Sequence, residues 1–294
     1  MPAEIIDGKK IAMEIQGELK QRIARLQEKG VNPKLVAILV GEDPASLSYL
    51  RGIGRSCTDV GVLNDTARLP ANIIQKELLQ KIEELNNDAV VHGILLLLPL
   101  PKHLDTLAAE SAISPAKDVD GTNPISTGKL LLGEETFFPS TPYGVQELLI
   151  RSGHNPDGKH VVIVGRSNIV GKPLMGMLIQ KQQGANATVT VCHTGTKDLA
   201  AITQQADIIV AAMGRARAIT ANMVRNGTIV IDVGVNQIKD DATGKSRLVG
   251  DVDFEAVKEK AAAITPVPGG TGPVTSVMLM MNTVKAAEKL SGNR

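Results

Sequence analysis

Aromatic residues and cysteines are scarce in this sequence of 294 residues. It contains no Trp, two Tyr and three Phe, so few rings are available to stack on the bases of a single-stranded nucleic acid. The two cysteines, Cys57 and Cys192, lie far apart and lack the spacing of a metal site or a redox pair. We therefore expect a protein of the reducing cytoplasm.

An excess of one charge and a long apolar run are also missing. The 32 Lys and Arg nearly cancel the 31 Asp and Glu, which indicates neither nucleic acid nor an acidic membrane surface as a partner. The longest apolar run, Ile94 to Leu100, is too short to span a bilayer. Residues 1–30 alternate charged and apolar residues at helical spacing, unlike the apolar core of a secretory signal. These features predict a soluble protein.

The sequence alternates short β-branched apolar runs with helical stretches. Such runs are typical of buried parallel strands, because helices cover both faces of the sheet. The chain is also long enough for two domains. We predict an α/β fold with doubly wound parallel sheets. The predicted strands are 34–40, 93–98, 161–164, 187–192, 208–212 and 228–233, and the predicted helices include 75–87, 145–152, 173–183 and 274–290.

A proline-rich turn at 139–144 precedes a predicted helix and marks the boundary between two lobes. Beyond it, the predicted strand 161–164 leads into a glycine turn and a helix that opens near Pro173. Backbone N–H groups at such a helix start suit a pyrophosphate. The spacing of Gly165, Ser167 and Gly171 departs from the usual Gly-x-Gly-x-x-Gly fingerprint, so a tight turn without a ligand is the alternative.

The end of the next predicted strand favours NADP over NAD. An acidic residue there would hold the ribose hydroxyl of NAD, but none occurs before Asp198. Arg166 and Thr194 are able to receive a 2′-phosphate instead, as a charged fork and a hydroxyl donor. His193 is either a neighbour of that phosphate or a hydrogen-bonded structural residue.

Five segments together resemble the methylenetetrahydrofolate dehydrogenase/methenyltetrahydrofolate cyclohydrolase family. Each is a weak signal alone, but their order and spacing run through nearly the whole chain. The segments are Gly41-Glu-Asp-Pro-Ala-Ser-Leu-Ser-Tyr49, Val91-His-Gly-Ile-Leu-Leu-Leu-Leu-Pro-Leu-Pro101, Lys117-Asp-Val-Asp-Gly121, Val164-Gly-Arg-Ser-Asn-Ile-Val-Gly-Lys-Pro173 and Thr265-Pro-Val-Pro-Gly-Gly-Thr-Gly-Pro273.

The resemblance implies that the two lobes bind different ligands. Residues 1–139, completed by the C-terminal helix at 273–294, would form the folate-binding catalytic lobe, and residues 140–272 a Rossmann-type lobe for NADP. A folate cleft between them and a homodimer are implied as well. Tetrahydrofolate derivatives would be the substrates.

The resemblance also implies roles for single residues. Tyr49 would stack on the pterin, and Asp120 would hydrogen-bond its amino-nitrogen edge; the alternatives are a half-buried helix tyrosine and a helix or turn cap. The loop of Pro268, Gly269 and Gly270 would lie beside the folate. The residues expected to bind NADP are Gly165, Arg166, Ser167, Gly171, Thr194 and Val235.

Two positions depart from the family pattern. A lysine that acts in the cyclohydrolase step usually stands four residues after the tyrosine, where this chain has Ile53, and its glutamine partner is replaced by Leu97. Hydride removal needs positioning more than a base, whereas hydrolysis of the methenyl group needs a proton to be handled. Replacement of both hydrogen-bonding partners by apolar residues is nearly neutral for stability, which marks the two as a compensated pair.

Three hypotheses follow. The leading one is an NADP-dependent methylenetetrahydrofolate dehydrogenase whose cyclohydrolase activity is weak or absent. The second is a fully bifunctional enzyme in which Tyr49 or a bound water replaces the lysine. The third is a non-catalytic paralogue that binds folate or nucleotide.

Overall fold

The structure, a computed structural model, describes residues 2–239 and 246–292. Helices and short parallel strands alternate through most of these residues. In chain order the elements are β1 (Glu4–Ile5), α1 (Gly8–Gln27), β2 (Lys34–Val40), α2 (Pro44–Val60), β3 (Leu63–Leu69), α3 (Gln75–Asn87), β4 (Gly93–Leu96), α4 (Thr106–Ala112), α5 (Pro124–Leu132), α6 (Ser140–Arg151), β5 (His160–Val164), α7 (Gly171–Leu178), β6 (Thr188–Cys192), α8 (Leu199–Thr203), β7 (Ile208–Ala211), a 3₁₀ turn (Ala221–Met223), β8 (Ile229–Asp232), β9 (Asn236–Lys239), β10 (Ser246–Val249), α9 (Phe254–Val257), β11 (Ala263–Ile264) and α10 (Thr271–Gly292).

The chain divides into two compact units. The six-stranded unit comprises Met1–Ala12 and Thr141–Thr275, and the three-stranded unit comprises Met13–Ser140 and Ser276–Arg294. The N-terminal residues therefore group differently from the sequence analysis, which assigned them to the first lobe. The reason is that β1 pairs with β11 at the edge of the larger sheet, and a strand pairing of this kind cannot be read from the sequence.

The sheet of the six-stranded unit has the order β1-β11-β8-β7-β5-β6, and its neighbouring strands are all parallel. The chain leaves β5 toward β6 and then crosses back to β7 on the other side of β5. Ligands of open α/β sheets bind outside the carboxyl ends of the strands at such a reversal. The loops that follow β5 and β7 are therefore the expected place for a ligand.

The sheet of the three-stranded unit repeats this arrangement on a smaller scale. Its order is β3-β2-β4 with parallel pairing, so the chain reverses between β2 and β4. Six of the seven residues of β2 are buried, which fits a central strand covered on both faces. A parallel bridge from Ile94 to Asp118 extends the sheet by one short step.

The C-terminal helix α10 packs within the three-stranded unit from Ser276 onward. The Asn282 amide donates hydrogen bonds to the carbonyl oxygens of Val119 and Phe138, at 2.7 and 2.8 Å. Met280 contacts the buried Cys57 of α2. These contacts confirm the predicted α/β fold, with a Rossmann-type parallel sheet and a first lobe completed by the C-terminal helix.

The predicted elements agree with the structure where apolar runs are long and buried. The strand 34–40 and the helix 75–87 have the predicted bounds. The predicted helix 173–183 is shifted, since α7 covers Gly171–Leu178. The strand β3 was not predicted, because it lies at the sheet edge and most of its side chains are exposed, so it shows no apolar run.

Within residues 2–239 and 246–292, no helix is long and apolar enough to cross a membrane. The same residues contain no group of three or more His, Cys, Asp or Glu side chains able to hold a metal ion.

One glycine inside α2 and one at its C-terminal end are expected to respond oppositely to substitution by alanine. Gly52 lies inside the helix, and a Cβ there would have no atom within 4 Å, whereas Gly61 ends the helix with a left-handed φ of +90°. We expect Gly52→Ala to stabilise the protein by about 0.5–1 kcal/mol, because alanine has the higher helix propensity. Gly61→Ala should be destabilising, since L-residues rarely adopt that φ. Thermal unfolding of both variants checks this, and a lower midpoint for Gly52→Ala would contradict it.

Candidate functional site

The turn after β5 requires glycine at position 165. Gly165 has a φ of +142°, and a Cβ on it would lie 2.1 Å from the carbonyl oxygen of Ala212, which follows β7. The turn therefore packs directly on the end of β7, at the reversal of the strand order. A side chain would separate these two loops and fill the space between them.

The loop from Gly165 to α7 folds back on itself. A Cβ on Gly171 would lie 2.1 Å from the carbonyl oxygen of Gly165. Ser167 Oγ accepts the backbone N–H of Val170 at 3.1 Å, and the Ser167 carbonyl accepts that of Lys172, also at 3.1 Å. The result is a compact turn that runs into the positive end of a helix, an arrangement that suits a phosphate group. These residues therefore fit a dinucleotide.

The ends of β5 and β6 bring Arg166 and Thr194 to corresponding positions. Val164 pairs with Cys192, so Arg166 and Thr194 each lie two residues beyond this pair, and both are exposed. The first acidic residue in this region, Asp198, accepts the backbone N–H of Ala201 and caps α8. This geometry suits a 2′-phosphate better than a free ribose hydroxyl.

His193 belongs to the turn after β6. Its Nδ1 accepts the backbone N–H of Gly195 at 3.0 Å, and its own backbone N–H donates to Thr196 Oγ1 at 2.9 Å. Of the two alternatives for this residue, the structure supports the hydrogen-bonded structural role.

Val235 follows β8 and is 62% exposed. Two buried carboxylates, Asp232 and Asp251, lie near this loop and were not predicted from the sequence. Asp232 accepts the backbone N–H groups of Gly234, Asp251 and Val252, each at 2.9 Å. Burial raises the pKa of Asp232 to about 6, although these hydrogen bonds oppose the shift. The sequence feature that could have identified Asp232 is its position at the end of a buried strand.

In the three-stranded unit, α2 carries Tyr49 directly after the carboxyl end of β2. Asp43 caps this helix by accepting the Ser46 N–H at 2.8 Å, Pro44 occupies its first turn, and Gly61 ends it. Tyr49 is 44% exposed. Partial burial raises its pKa, and the negative charge of Asp120 raises it further, so the structure brings these two predicted residues within electrostatic range.

Asp120 follows the short bridge beside β4. Its Oδ1 accepts a hydrogen bond from Ser140 Oγ at 3.1 Å. Burial raises the pKa of Asp120 to about 7; the Ser140 hydrogen bond lowers it, and the charge on Asp118 raises it again. A carboxyl group with this pKa changes its charge near neutrality, which is typical of functional sites.

The segment 117–121 is held in place by its own polar residues. Lys117 Nζ donates to the carbonyl oxygens of Leu85 and Asp88 at 2.9 and 2.7 Å. Asp118 is buried and accepts the backbone N–H groups of Thr122 and Asn123 at 3.2 and 3.0 Å. These contacts give the first two polar residues of the motif a structural role and position Asp120.

Ile53 and Leu97 are both buried. Ile53 lies one helical turn after Tyr49 and is 4% exposed, and Leu97 lies just beyond β4 and is 3% exposed. The backbone N–H of Leu97 donates to the carbonyl oxygen of Ile38 at 3.0 Å. Neither side chain is able to carry a proton, so Tyr49 and Asp120 are the titratable residues of the predicted site in this unit.

The loop with Pro268, Gly269 and Gly270 belongs to the six-stranded unit. Gly269 has a φ of +110°, and a Cβ on Gly270 would lie 2.6 Å from the carbonyl oxygen of Pro266. Gly8 contacts the loop so closely that a Cβ there would overlap the Gly270 carbonyl. The glycines therefore make this tight turn possible, and their contact with folate stays a prediction.

Together these features define a class: a two-unit α/β protein whose larger sheet carries a dinucleotide-binding turn. Residues 6–120 match the family described as Tetrahydrofolate dehydrogenase/cyclohydrolase, catalytic domain, and residues 139–291 match the NAD(P)-binding domain of the same family. The chain belongs to the tetrahydrofolate dehydrogenase/cyclohydrolase family.

Relatives resemble the chain over its full length. The "Bifunctional protein FolD" of Syntrophus aciditrophicus is 53% identical, with 99% of this chain and 100% of that protein covered. The crystal structure of the bifunctional FolD enzyme from Campylobacter jejuni is 45% identical, with a TM-score of 0.92 and coverage of 98% and 99%. A Trypanosoma brucei FolD structure, complexed with NADP cofactor and inhibitor, is 38% identical, with a TM-score of 0.90 and 98% of each chain covered.

The raised pKa of Asp120 gives a stability prediction. The folded protein holds this proton more tightly than the unfolded chain, whose aspartates titrate near 3.9. The stabilisation from the bound proton is therefore complete below about pH 4 and is lost as the pH rises through about 7. Between pH 5 and 8 we expect the wild type to lose about 1–2 kcal/mol relative to Asp120→Asn, less than the whole shift implies because the side chain is partly exposed. Denaturant unfolding of both proteins at the two pH values measures this difference, and parallel pH profiles would contradict it.

Proposed function

We propose that this protein oxidises 5,10-methylenetetrahydrofolate to 5,10-methenyltetrahydrofolate with NADP, and that its cyclohydrolase activity is weak or absent. The observation that carries the second half is the burial of two apolar side chains: Ile53, one helical turn after Tyr49 on α2, and Leu97, just beyond β4. The dehydrogenase half rests on family membership together with Tyr49, Asp120 and the dinucleotide turn.

The proposed roles in the three-stranded unit follow from chemistry. Tyr49 presents a partly exposed ring on which a flat pterin stacks. Asp120 accepts hydrogen bonds from the amino edge of the pterin, and these donors favour the ionised carboxylate, which lowers its raised pKa on binding. Removal of hydride leaves a cation shared by two folate nitrogens, so the residues need to orient the substrate and exclude water rather than supply a base.

The proposed cofactor site uses Gly165, Ser167 and Gly171 for the pyrophosphate and Arg166 with Thr194 for the 2′-phosphate. Exposed Val235 is proposed as an apolar contact. When bound, NADP supplies the nicotinamide ring that accepts the hydride. NADP as the cofactor is supported by the Trypanosoma brucei relative, whose structure holds it, and by the position of Asp198, whose carboxylate caps α8.

Loss of the cyclohydrolase step is proposed because hydrolysis needs a group that transfers a proton. General acid–base catalysis of this kind contributes about 10²- to 10⁴-fold to a rate. Ile53 is unable to contribute it, and the raised pKa of Tyr49 keeps its hydroxyl protonated at neutral pH, which makes it a poor base.

Full bifunctionality is the second candidate. It is favoured by relatives at about half identity, which are named bifunctional proteins. In this case Asp120, whose pKa is about 7, or a water bound near Tyr49 would handle the proton.

We further propose a cytoplasmic homodimer. Its support is the outer edge of β3, a seven-residue strand at the edge of its sheet with Leu63 exposed. Such an edge is available for pairing with a second copy. The two buried free thiols, Cys57 and Cys192, agree with a reducing compartment. Sedimentation equilibrium tests the assembly, and a monomer at micromolar concentration would exclude it.

A paired spectroscopic assay tests the proposed function. We expect the purified protein to form NADPH from methylenetetrahydrofolate and NADP, while the absorbance of methenyltetrahydrofolate in a second cuvette decays at its uncatalysed rate. Decay that increases with enzyme concentration would establish the bifunctional enzyme instead. Absence of both reactions would identify a non-catalytic binding protein.

Introduction of the lysine and glutamine of the family pattern at positions 53 and 97 should increase hydrolysis. The double variant Ile53→Lys with Leu97→Gln should raise methenyltetrahydrofolate hydrolysis by about 10- to 100-fold over the wild type, because an amine with an amide partner is then placed one turn from Tyr49. Ile53→Lys alone is the matched control and should fold less well, since it buries a charge without a partner. Equal hydrolysis by wild type and double variant would contradict the assignment.

Arg166 should decide between the two nucleotides. We expect Arg166→Ala to raise the KM for NADP by about 10- to 100-fold, since a charge-assisted contact to the 2′-phosphate is lost, and to leave the KM for NAD within about twofold. Lys172→Ala is the control, because Lys172 is a nearby cation in the first turn of α7 whose amine is bonded to Asn168. An equal rise for both nucleotides with Arg166→Ala would exclude a role in phosphate recognition.

A further inference from the structure

Asp251 is a fully buried carboxylate with four hydrogen-bond donors around it. Its Oδ2 accepts the backbone N–H groups of Met213 and Gly214 at 2.6 and 2.8 Å. Its Oδ1 accepts the backbone N–H of Arg215 and the side-chain amide of Asn236, both at 2.8 Å. A carboxylate with three consecutive backbone donors fixes the path of that segment, because each donor points at a charge.

The segment 213–215 lies at the reversal of the strand order. It follows Ala212, whose carbonyl oxygen packs against Gly165 so closely that a Cβ on the glycine would lie 2.1 Å away. The loops after β5 and β7 are the two sides of the place where open α/β sheets bind their ligands. Asp251 thus fixes one side, although it lies 36–38 residues later in the chain.

Asp251 is itself held by a second carboxylate. Its backbone N–H donates to Asp232 Oδ1 at 2.9 Å. The space for both side chains comes from glycines: a Cβ on Gly234 would lie 2.2 Å from the Asp251 carboxylate, and one on Gly250 would lie 1.8 Å from that of Asp232. This interlocked arrangement connects the loop after β8, which carries Val235, to the loop after β7.

We propose that Asp251 is a positioning residue for the dinucleotide: it holds the backbone at Met213–Arg215 in the shape that receives the cofactor beside the Gly165 turn. This proposal rests on the proposed NADP site. Asp251 itself does not contact the cofactor; its effect passes through the three backbone groups that it binds.

Asp251→Asn is the direct test, because the asparagine side chain has nearly the same shape as aspartate but places an NH₂ group against backbone donors. We expect the Kd for NADP, measured by calorimetry on the full chain, to rise about tenfold or more. The KM for NADP should rise in parallel, whereas the KM for methylenetetrahydrofolate should stay within about twofold. Without nucleotide, amide hydrogen exchange at 213–215 should accelerate.

Asp207→Asn is the matched control, since Asp207 accepts the backbone N–H of His160 at 2.9 Å at the opposite end of the same sheet. It should destabilise the protein and leave the Kd for NADP within about twofold. Asn236→Ala removes one of the four donors and keeps the carboxylate; it should raise the Kd by about two- to fivefold and provides the test if Asp251→Asn does not fold.

The outcomes distinguish failure of the positioning role from failure of the proposed cofactor site. If the unaltered protein binds NADP and Asp251→Asn or Asn236→Ala binds it as tightly as Asp207→Asn does, the positioning role is overturned and the proposed function stands. If the unaltered protein does not bind NADP, the proposed cofactor site is overturned and the positioning role with it.

Discussion

Buried carboxylates that accept backbone N–H groups fix the loops at the carboxyl ends of both parallel sheets. Asp118 does so in the three-stranded unit, and Asp232 and Asp251 do so in the six-stranded unit. A parallel sheet ends in loops that have no ladder partners, so their backbone donors need acceptors from elsewhere. A charged acceptor makes these bonds stronger than neutral ones, which gives short loops a defined shape without regular structure.

The same arrangement has an electrostatic cost. Burial raises the pKa of Asp118, Asp120 and Asp232, because a charge taken out of water loses its hydration, and the backbone donors compensate only in part. Asp120 differs from the other two because its side chain is partly exposed, and the donors bonded to it belong to Ser140. It therefore retains capacity to accept further hydrogen bonds, which fits a residue that meets a ligand better than one that only holds a loop.

The proposed loss of the cyclohydrolase step requires no change of the scaffold around Ile53 and Leu97. Both are buried beside well-ordered elements, and α2 keeps its Asp43 cap and its Gly61 end. Because an apolar pair leaves no donor or acceptor unsatisfied, the fold carries no penalty that would reveal the change. The relatives have the same fold, but fold similarity alone does not decide an activity.

The sequence by itself determined the elements whose signals are local. Four features could be predicted in this way: the buried run of β2, the periodic helix α3, the Gly165 turn, and the apolar residues at positions 53 and 97. Burial on both faces, helical periodicity and side-chain chemistry are properties of neighbouring residues, so the sequence shows them directly.

Tertiary structure alone decided the rest. The pairing of β1 with β11 moved the N-terminus to the larger sheet, and the exposed edge strand β3 had no apolar pattern to detect. The pKa of Asp120 depends on burial and on its neighbours, and the role of Asp251 depends on three amides far earlier in the chain. Hydrogen bonds and desolvation act through space, so residues that are remote in sequence determine them together.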